Sequence, residues 1–379
     1  MHTGIQDVNQ KVCITMKILH IINTLEVGGA ERLLVDSLPI VKQLGHDVRV
    51  LELFAADSDF ERQLRNAGVQ VEALHMHAYN PMLIFALRKH MQWADVVHTH
   101  LFPSQYWAAL ARNKKTDCVL VTTEHSTSNT RARYKLTTLA DKCIYSMYDG
   151  IICISDATLQ FMCTRTPQSV EMTVVENGIV IPDASTTNGS DTKEGCDIYE
   201  GWQADDFIML QVARLSEQKN QDCVIRALTL LPDNIHAVFV GYGPRLDTCR
   251  QLAERLNVSH RTHFLGKRGD IGSLWQKADI GVMSSHWEGF GLAAVEGMAQ
   301  GKPVLASNVP GLAEVVEIGD LLFTPDNEQE LADKVLKLYN DPALRLKLAE
   351  MCRTQASKYD IRNMAKRYLE FYKKLLERK

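Results

Sequence analysis

Two alternating periodicities constrain this chain more than any single motif. Short β-branched runs alternate with amphipathic segments of helical length, and after a polar break the alternation starts again. Lys17 to Asn23, Asp47 to Phe54, Val69 to Leu74, Asp95 to His100, Val119 to Thr123 and Gly150 to Ser155 read as strands. A further strand, Val174 to Gly178, runs into a turn. Helices are expected over Ala30 to Leu44, Phe60 to Ala67, Met82 to Met91 and Tyr106 to Arg112, with Gly45 and Gly68 as stops. Another starts at Asp156, a good N-cap type. Met82 to Lys89 could touch a membrane, but a helix here must cover the sheet, so a core-facing role is expected.

Residues 183–200 are polar, contain glycine and lack any period, which marks a linker. Beyond them strands are expected at Phe207 to Ala213, Ala237 to Gly241, His263 to Leu265, Ile280 to Ser284 and Pro303 to Ser307. Helices fill the intervals (Gln221 to Leu231, Arg245 to Leu256, Ile271 to Lys277, Leu292 to Gln300), and the tail from about Glu328 is helical. This grammar predicts an α/β fold with two parallel, doubly wound sheets. A length of 379 residues suits two such domains.

Composition removes other classes. The net charge of −4 gives no global field for nucleic acid or an anionic bilayer, so any anion site is local. No apolar run approaches the roughly 18 residues of a membrane span. The nine cysteines are odd in number and form no C-x-x-C pair, which disfavours disulfide scaffolds and structural zinc. The first fifteen residues lack a signal-peptide pattern and read as an extension.

In doubly wound sheets ligands bind beyond the C-terminal strand ends, and every candidate constellation lies there. Gly28 and Gly29 sit between the first strand and helix, where the backbone can approach a ligand and free N–H groups face an anion, although the pattern is not G-x-G-x-x-G. A tight turn is the plainer alternative. Arg214 and Lys219 follow the strand after the linker and can converge on a diphosphate, or be merely solvated. Glu288 precedes a glycine loop, and Glu296 lies in the following helix. The N–H groups of Phe290, Gly291, Leu292 and Ala293 open that helix and suit a phosphate, while the carboxylates suit sugar or ribose hydroxyls. His98, His100 and His125 close neighbouring strands. Their spacing is poor for a metal, and packed or polar histidines at a cleft edge are expected. Gly243, Lys267 and Arg268 lie in two further loops that could complete a rim around a nucleotide.

These residues resemble the family 4 glycosyltransferases of the GT-B fold from Met16 onward. Glu288 to Glu296 matches the family's E-x7-E signature, continuing into Met298 to Val304, with Gly297 where alanine is commoner. Val212 to Lys219 looks like the segment bearing its two cations. Gly28 to Arg32 is similar to members that act on bacterial surface glycans.

The resemblance implies two Rossmann-like domains facing a central cleft. Residues 1–182 would form the acceptor domain and 201–358 the nucleotide-sugar domain, joined by 183–200, with 359–379 crossing back. It implies a cytoplasmic retaining enzyme at the inner face of the cell membrane, using a UDP-sugar as co-substrate and no metal or other cofactor. Its acceptor would be a glycan or lipid-linked glycan of surface-polysaccharide synthesis. Arg214 and Lys219 would neutralise the departing diphosphate, and Glu288 would hold the donor sugar. Phe290 and Gly291 would hold the sugar through backbone N–H groups, Leu292 and Ala293 the phosphate, and Glu296 the ribose. Gly28 and Gly29 would close over the phosphate. His125 would place its carbonyl at the reacting carbon, with His100, Ser126 and Asn129 toward the acceptor. A same-fold sugar-nucleotide epimerase and a non-catalytic nucleotide-sugar-binding protein are the alternatives.

Overall fold

The computed structural model describes residues 15–26, 28–55, 57–113, 116–125, 135–182 and 205–379. The expected linker 183–200, most of the N-terminal extension, Ser126 and Asn129 lie outside these residues. Two parallel sheets carry the fold. The first comprises β1 (Lys17–Ile22), β2 (Asp47–Glu52), β3 (Gln70–Ala73), β4 (Val96–His100), β5 (Val119–Glu124), β6 (Gly150–Cys153) and β7 (Glu171–Val174), in the order β3-β2-β1-β4-β5-β6-β7. The second comprises β8 (Phe207–Val212), β9 (Ile235–Val240), β10 (Thr262–Phe264), β11 (Ile280–Met283), β12 (Val304–Ser307) and β13 (Leu322–Phe323), in the order β10-β9-β8-β11-β12-β13. Each order reverses beside the sheet's first strand, β1 or β8, which opens a crevice at the carboxyl ends.

Each sheet is buried on both faces, as parallel sheets require. One apolar core surrounds the second sheet. Two others cover the opposite faces of the first. The terminal helix Ile361–Leu376 contributes Met364, Tyr368, Phe371, Tyr372 and Leu375 to one of these first-sheet cores. Leu292, at the start of the helix Leu292–Ala299, packs against cores of both sheets. The helix Leu83–Met91 buries Leu83, Leu87 and Met91, a stripe at four-residue spacing, so it does cover the sheet. Met82 and Phe85 stay exposed on its other side.

Two expectations change. Asp156 is not the cap of its helix: Ser155 holds that place, its Oγ accepting the Thr158 N–H at 3.3 Å, while Asp156 occupies the first turn. The strand expected at Val174–Gly178 ends at Val174, because the chain then leaves the sheet. Ile179 donates to the Tyr359 carbonyl and accepts from the Ile361 N–H, both at 2.8 Å, so its backbone groups pair with the segment entering the terminal helix. The helices Lys135–Tyr145 and Leu312–Val316 had no counterpart in the pattern reading.

Candidate active site

The loops beyond β8 and β11 are joined residue by residue. Ser284 Oγ donates to the Asn220 carbonyl at 2.8 Å, and the His286 N–H to the Gln218 carbonyl at 2.8 Å. Gln218 Nε2 answers by donating to the Trp287 carbonyl at 2.9 Å. This lacing brings Lys219 Nζ onto Glu288 Oε1 as an ion pair. Ser285 Oγ donates to the same oxygen at 2.8 Å. Both side chains are largely but not wholly buried, at 22% and 10% exposure, so the pair is shielded from bulk water, at a desolvation cost, yet open to a ligand. An ammonium has three donors, and contact with Glu288 leaves others for an incoming anion.

Gly291 caps the helix Leu292–Ala299 at φ 90°, a left-handed conformation that glycine adopts without strain. A Cβ there would also lie 2.6 Å from Leu312 Cδ2. The helix mouth thus presents the first N–H groups, those of Leu292 and Ala293, at the end of β11. Phe290 is buried edge-on against Tyr359, so its ring is structural and only its backbone is available. Gly28 is the N-cap of the helix Gly29–Gln43 in the first lobe. A Cβ on Gly29 would stand 3.4 Å from Leu292 Cδ1, so the two glycine turns face each other across the lobes. Glu296 also looks across. Burial lifts its carboxyl to about 7, Arg32 of the first lobe opposing the rise and Asp36 adding to it.

The other expected residues divide. Arg214 is exposed, and among the described residues its guanidinium has no ion pair. Gly243 is explained by packing, since a Cβ would lie 2.0 Å from the Leu215 carbonyl oxygen. Lys267 is exposed, and Arg268 forms a two-pronged pair with Asp270 at 2.8 and 2.7 Å. Of the two cations expected in the loop 266–268, Arg268 is thus neutralised by its neighbour and Lys267 stays exposed.

At the ends of β4 and β5 the histidines pack inward. His100 is 2% exposed and cannot meet an acceptor directly; it sits behind half-buried His125, with 3.4 Å between His100 Nδ1 and His125 Nε2. Strand register adds His20, opposite His98 on β1. His98 Nδ1 lies 2.6 Å from Tyr372 Oη, and its Nε2 2.7 Å from Thr123 Oγ1. Burial depresses all of these imidazoles, His20 to about 3 and His125 to about 4, so they are neutral near pH 7. His20, His98 and His100 have ring nitrogens within 4.8 Å of one another. Both nitrogens of His98 are already occupied, which fits a hydrogen-bonded cluster better than a metal centre.

The sequence reading gave no role to Ser285 or Arg32, although both lie in its candidate segments, and did not single out His20. The first stands three residues before Glu288 and the second four after Gly28, so local spacing could have found both. His20 needed the strand order.

Two family models match the chain: Glycosyltransferase Family 4 over residues 27–181 and Glycosyl transferases group 1 over residues 199–359. A glycosyltransferase of Methanocaldococcus jannaschii is 30% identical over 75% of this chain and 76% of its own. An N,N'-diacetylbacillosaminyl-diphospho-undecaprenol alpha-1,3-N-acetylgalactosaminyltransferase of Campylobacter jejuni is 34% identical over 45% of each chain. The chain thus spans less than half the length of that relative, and 43% of the Bacillus subtilis EpsD glycosyltransferase. The Anabaena protein HepE, crystallised with UDP and glucose, superimposes with a TM-score of 0.80 at 24% identity, over 94% of this chain and 99% of its own. The fold is that of the GT-B enzymes, and the chain belongs to the family 4 glycosyltransferases.

Proposed function

We propose that the protein is a retaining glycosyltransferase that moves a sugar from a UDP-sugar to a glycan or lipid-linked glycan acceptor in cell-surface polysaccharide synthesis. The observation that carries this reading is the Lys219–Glu288 pair at the mouth of the helix Leu292–Ala299, opposite the Gly28–Gly29 turn. Breaking a bond to a nucleotide diphosphate builds negative charge on the leaving group, and fixed donors at that point lower the barrier. Lys219, Arg214 and the N–H groups of Leu292 and Ala293 supply them. Glu288 holds sugar hydroxyls with its remaining acceptor capacity, and Phe290 and Gly291 bind through their backbone. Glu296 takes the ribose. His125 offers its carbonyl to the positive charge at the reacting carbon. Without a protein nucleophile, the departing phosphate accepts the proton of the incoming hydroxyl, which keeps the anomeric configuration.

UDP is favoured because HepE was crystallised with it, and a lipid-linked acceptor because the Campylobacter relative is named for one. We assign residues up to 182 to the acceptor and 201–358 to the donor, with the tail from 359 tying back to the first lobe. Among the described residues no helix is long and apolar enough to cross a membrane. Exposed Tyr79, Met82 and Phe85, with Lys89 nearby in sequence, give the first lobe a means of peripheral contact at the cytoplasmic membrane face.

The test is a screen of UDP-, GDP- and ADP-sugars for thermal stabilisation, followed by NMR of donor consumption with and without glycan acceptors. A UDP-sugar should raise Tm and be consumed only with an acceptor. Consumption at equal rate without one would replace transfer by epimerisation. Binding without turnover across a broad panel would favour a non-catalytic binding protein.

A further inference from the structure

Three imidazoles form a line running from the first strand to the proposed reaction centre. His20 Nδ1 lies 3.0 Å from His100 Nε2, and His100 Nδ1 lies 3.4 Å from His125 Nε2. His20 and His100 are each 2% exposed, so water does not compete for these contacts. The strands hold the line in place. His20 lies opposite His98 across β1 and β4, and His100, two residues beyond His98, points to the same face. His98 takes no part in the line but braces it, its ring centroid 4.2 Å from that of His100 while its nitrogens bind Tyr372 and Thr123.

A neutral imidazole carries one N–H and one lone pair, and each contact along the line needs one of each. Only two arrangements satisfy both contacts. In one, His20 donates from Nδ1 to His100, which donates from Nδ1 to His125; His125 then carries its own proton on Nδ1. In the other, every proton is reversed, and Nδ1 of His125 is a bare acceptor. The state of His125 is therefore tied to that of His20, two rings away. We infer that His20 is a positioning residue which, through His100, fixes the ring orientation and tautomer of His125. The kinetic consequence rests on the transferase reading given above; the tautomer itself does not.

His20 uses Nδ1, the ring nitrogen bonded to Cγ. An asparagine amide places its polar atoms at that same bond distance from the backbone, whereas glutamine carries them one bond farther. His20→Asn should keep the line intact and His20→Phe and His20→Gln should break it. The experiment uses the full chain with 15N-labelled histidine, the His125 signals being assigned by their loss in His125→Gln. The unsubstituted protein should show His125 in one tautomer, as should His20→Asn. His20→Phe and His20→Gln should shift those signals or show both forms. In sugar transfer, His20→Phe should lower kcat about tenfold with donor KM unchanged, because the His125 ring anchors the residue whose carbonyl faces the reacting carbon; this is less than the loss of a group that itself transfers a proton. His20→Asn should restore most of that rate.

A mixed tautomer of His125 in the unsubstituted protein would overturn the inference, whatever the variants do. So would His125 signals indifferent to His20→Gln, or one equivalent of zinc bound tightly after dialysis against zinc chloride, since the metal would occupy the lone pairs. If no sugar is transferred but the signals behave as described, the assignment of the reaction fails and the line stands. If sugar is transferred normally by folded His20→Phe while its His125 signals shift, the kinetic consequence fails and the line stands; normal transfer with unshifted signals overturns the line.

Discussion

At the carboxyl ends of the first sheet, His20, His98 and His100 are almost fully enclosed, and burial keeps them uncharged. At the matching ends of the second sheet, Lys219 and Glu288 stand as an ion pair that solvent still reaches, with exposed Arg214 in the same loop. Both sets occupy the place where this topology collects ligands. Their opposite electrostatics suggest a division of labour. A low-dielectric, fully paired network holds geometry but costs a great deal to charge. An accessible ion pair can exchange partners with an arriving anion. The second lobe is suited to a charged leaving group, and the first to holding neutral groups in register.

The most severe way to break this contrast is to remove the charge from the second lobe. Lys219→Ala and Arg214→Ala should each lower turnover at least a hundredfold, about 2.7 kcal/mol of barrier. They should differ in the resting protein. Lys219→Ala strands the Glu288 carboxylate and should lower Tm, whereas Arg214→Ala should leave Tm unchanged. Initial rates and thermal melts on both variants decide this. Unchanged turnover in folded protein would remove the charge-handling role.

The next effect concerns how the second lobe seats the body of the helix Leu292–Ala299 by packing alone. A Cβ on Gly297 would fall 2.7 Å from the Trp275 ring, and one on Gly281 2.9 Å from it. The indole, 1% exposed, fills the space left by two missing side chains. Gly297→Ala should therefore cost about 1–3 kcal/mol by overpacking, measured by urea unfolding, and Trp275→Phe should recover part of the loss in the double variant. This pairing shows what the sequence conceals. The alternation of periods revealed both sheets, and the Glu288–Glu296 spacing drew attention to the helix mouth, because those signals are local. Glycine at position 297 shows in the sequence only as a departure from the commoner alanine, since its partner lies 22 positions away on a different element. Lys219 and Glu288 were each singled out, but their pairing across 69 positions needed the adjacency of β8 and β11. His20 passed as one residue of an apolar strand until β1 was set beside β4.

A smaller change tests whether the histidine cluster is mainly structural. Tyr372→Phe removes the partner of His98 Nδ1, the link from the terminal helix to β4. A buried hydrogen bond is worth about 1 kcal/mol net, so urea unfolding should show a loss of that order with sugar transfer unchanged. A large loss of kcat with intact stability would instead give the first lobe's network a direct part in the chemistry and blur the contrast between lobes.

The smallest expected effect lies where the lobes meet. Burial raises Glu296 from 4.5 to about 7, so the folded chain binds this proton more tightly than the unfolded chain does. Stability then falls as pH rises through that interval and levels off above it, because ionising the folded carboxyl is the costly step. The side chain is only half-buried and Arg32 partly offsets the cost, so the full shift should not be expressed. Glu296→Gln removes the titration. It should raise Tm by about 1–2 °C near pH 8 and leave it unchanged near pH 4, where both side chains are neutral. Asp36→Asn, which removes the carboxylate that adds to the rise, should shrink the gain. A gain equal at both pH values would show that packing rather than charge separates the two side chains, and Glu296 would then belong with the neutral scaffold of the first lobe.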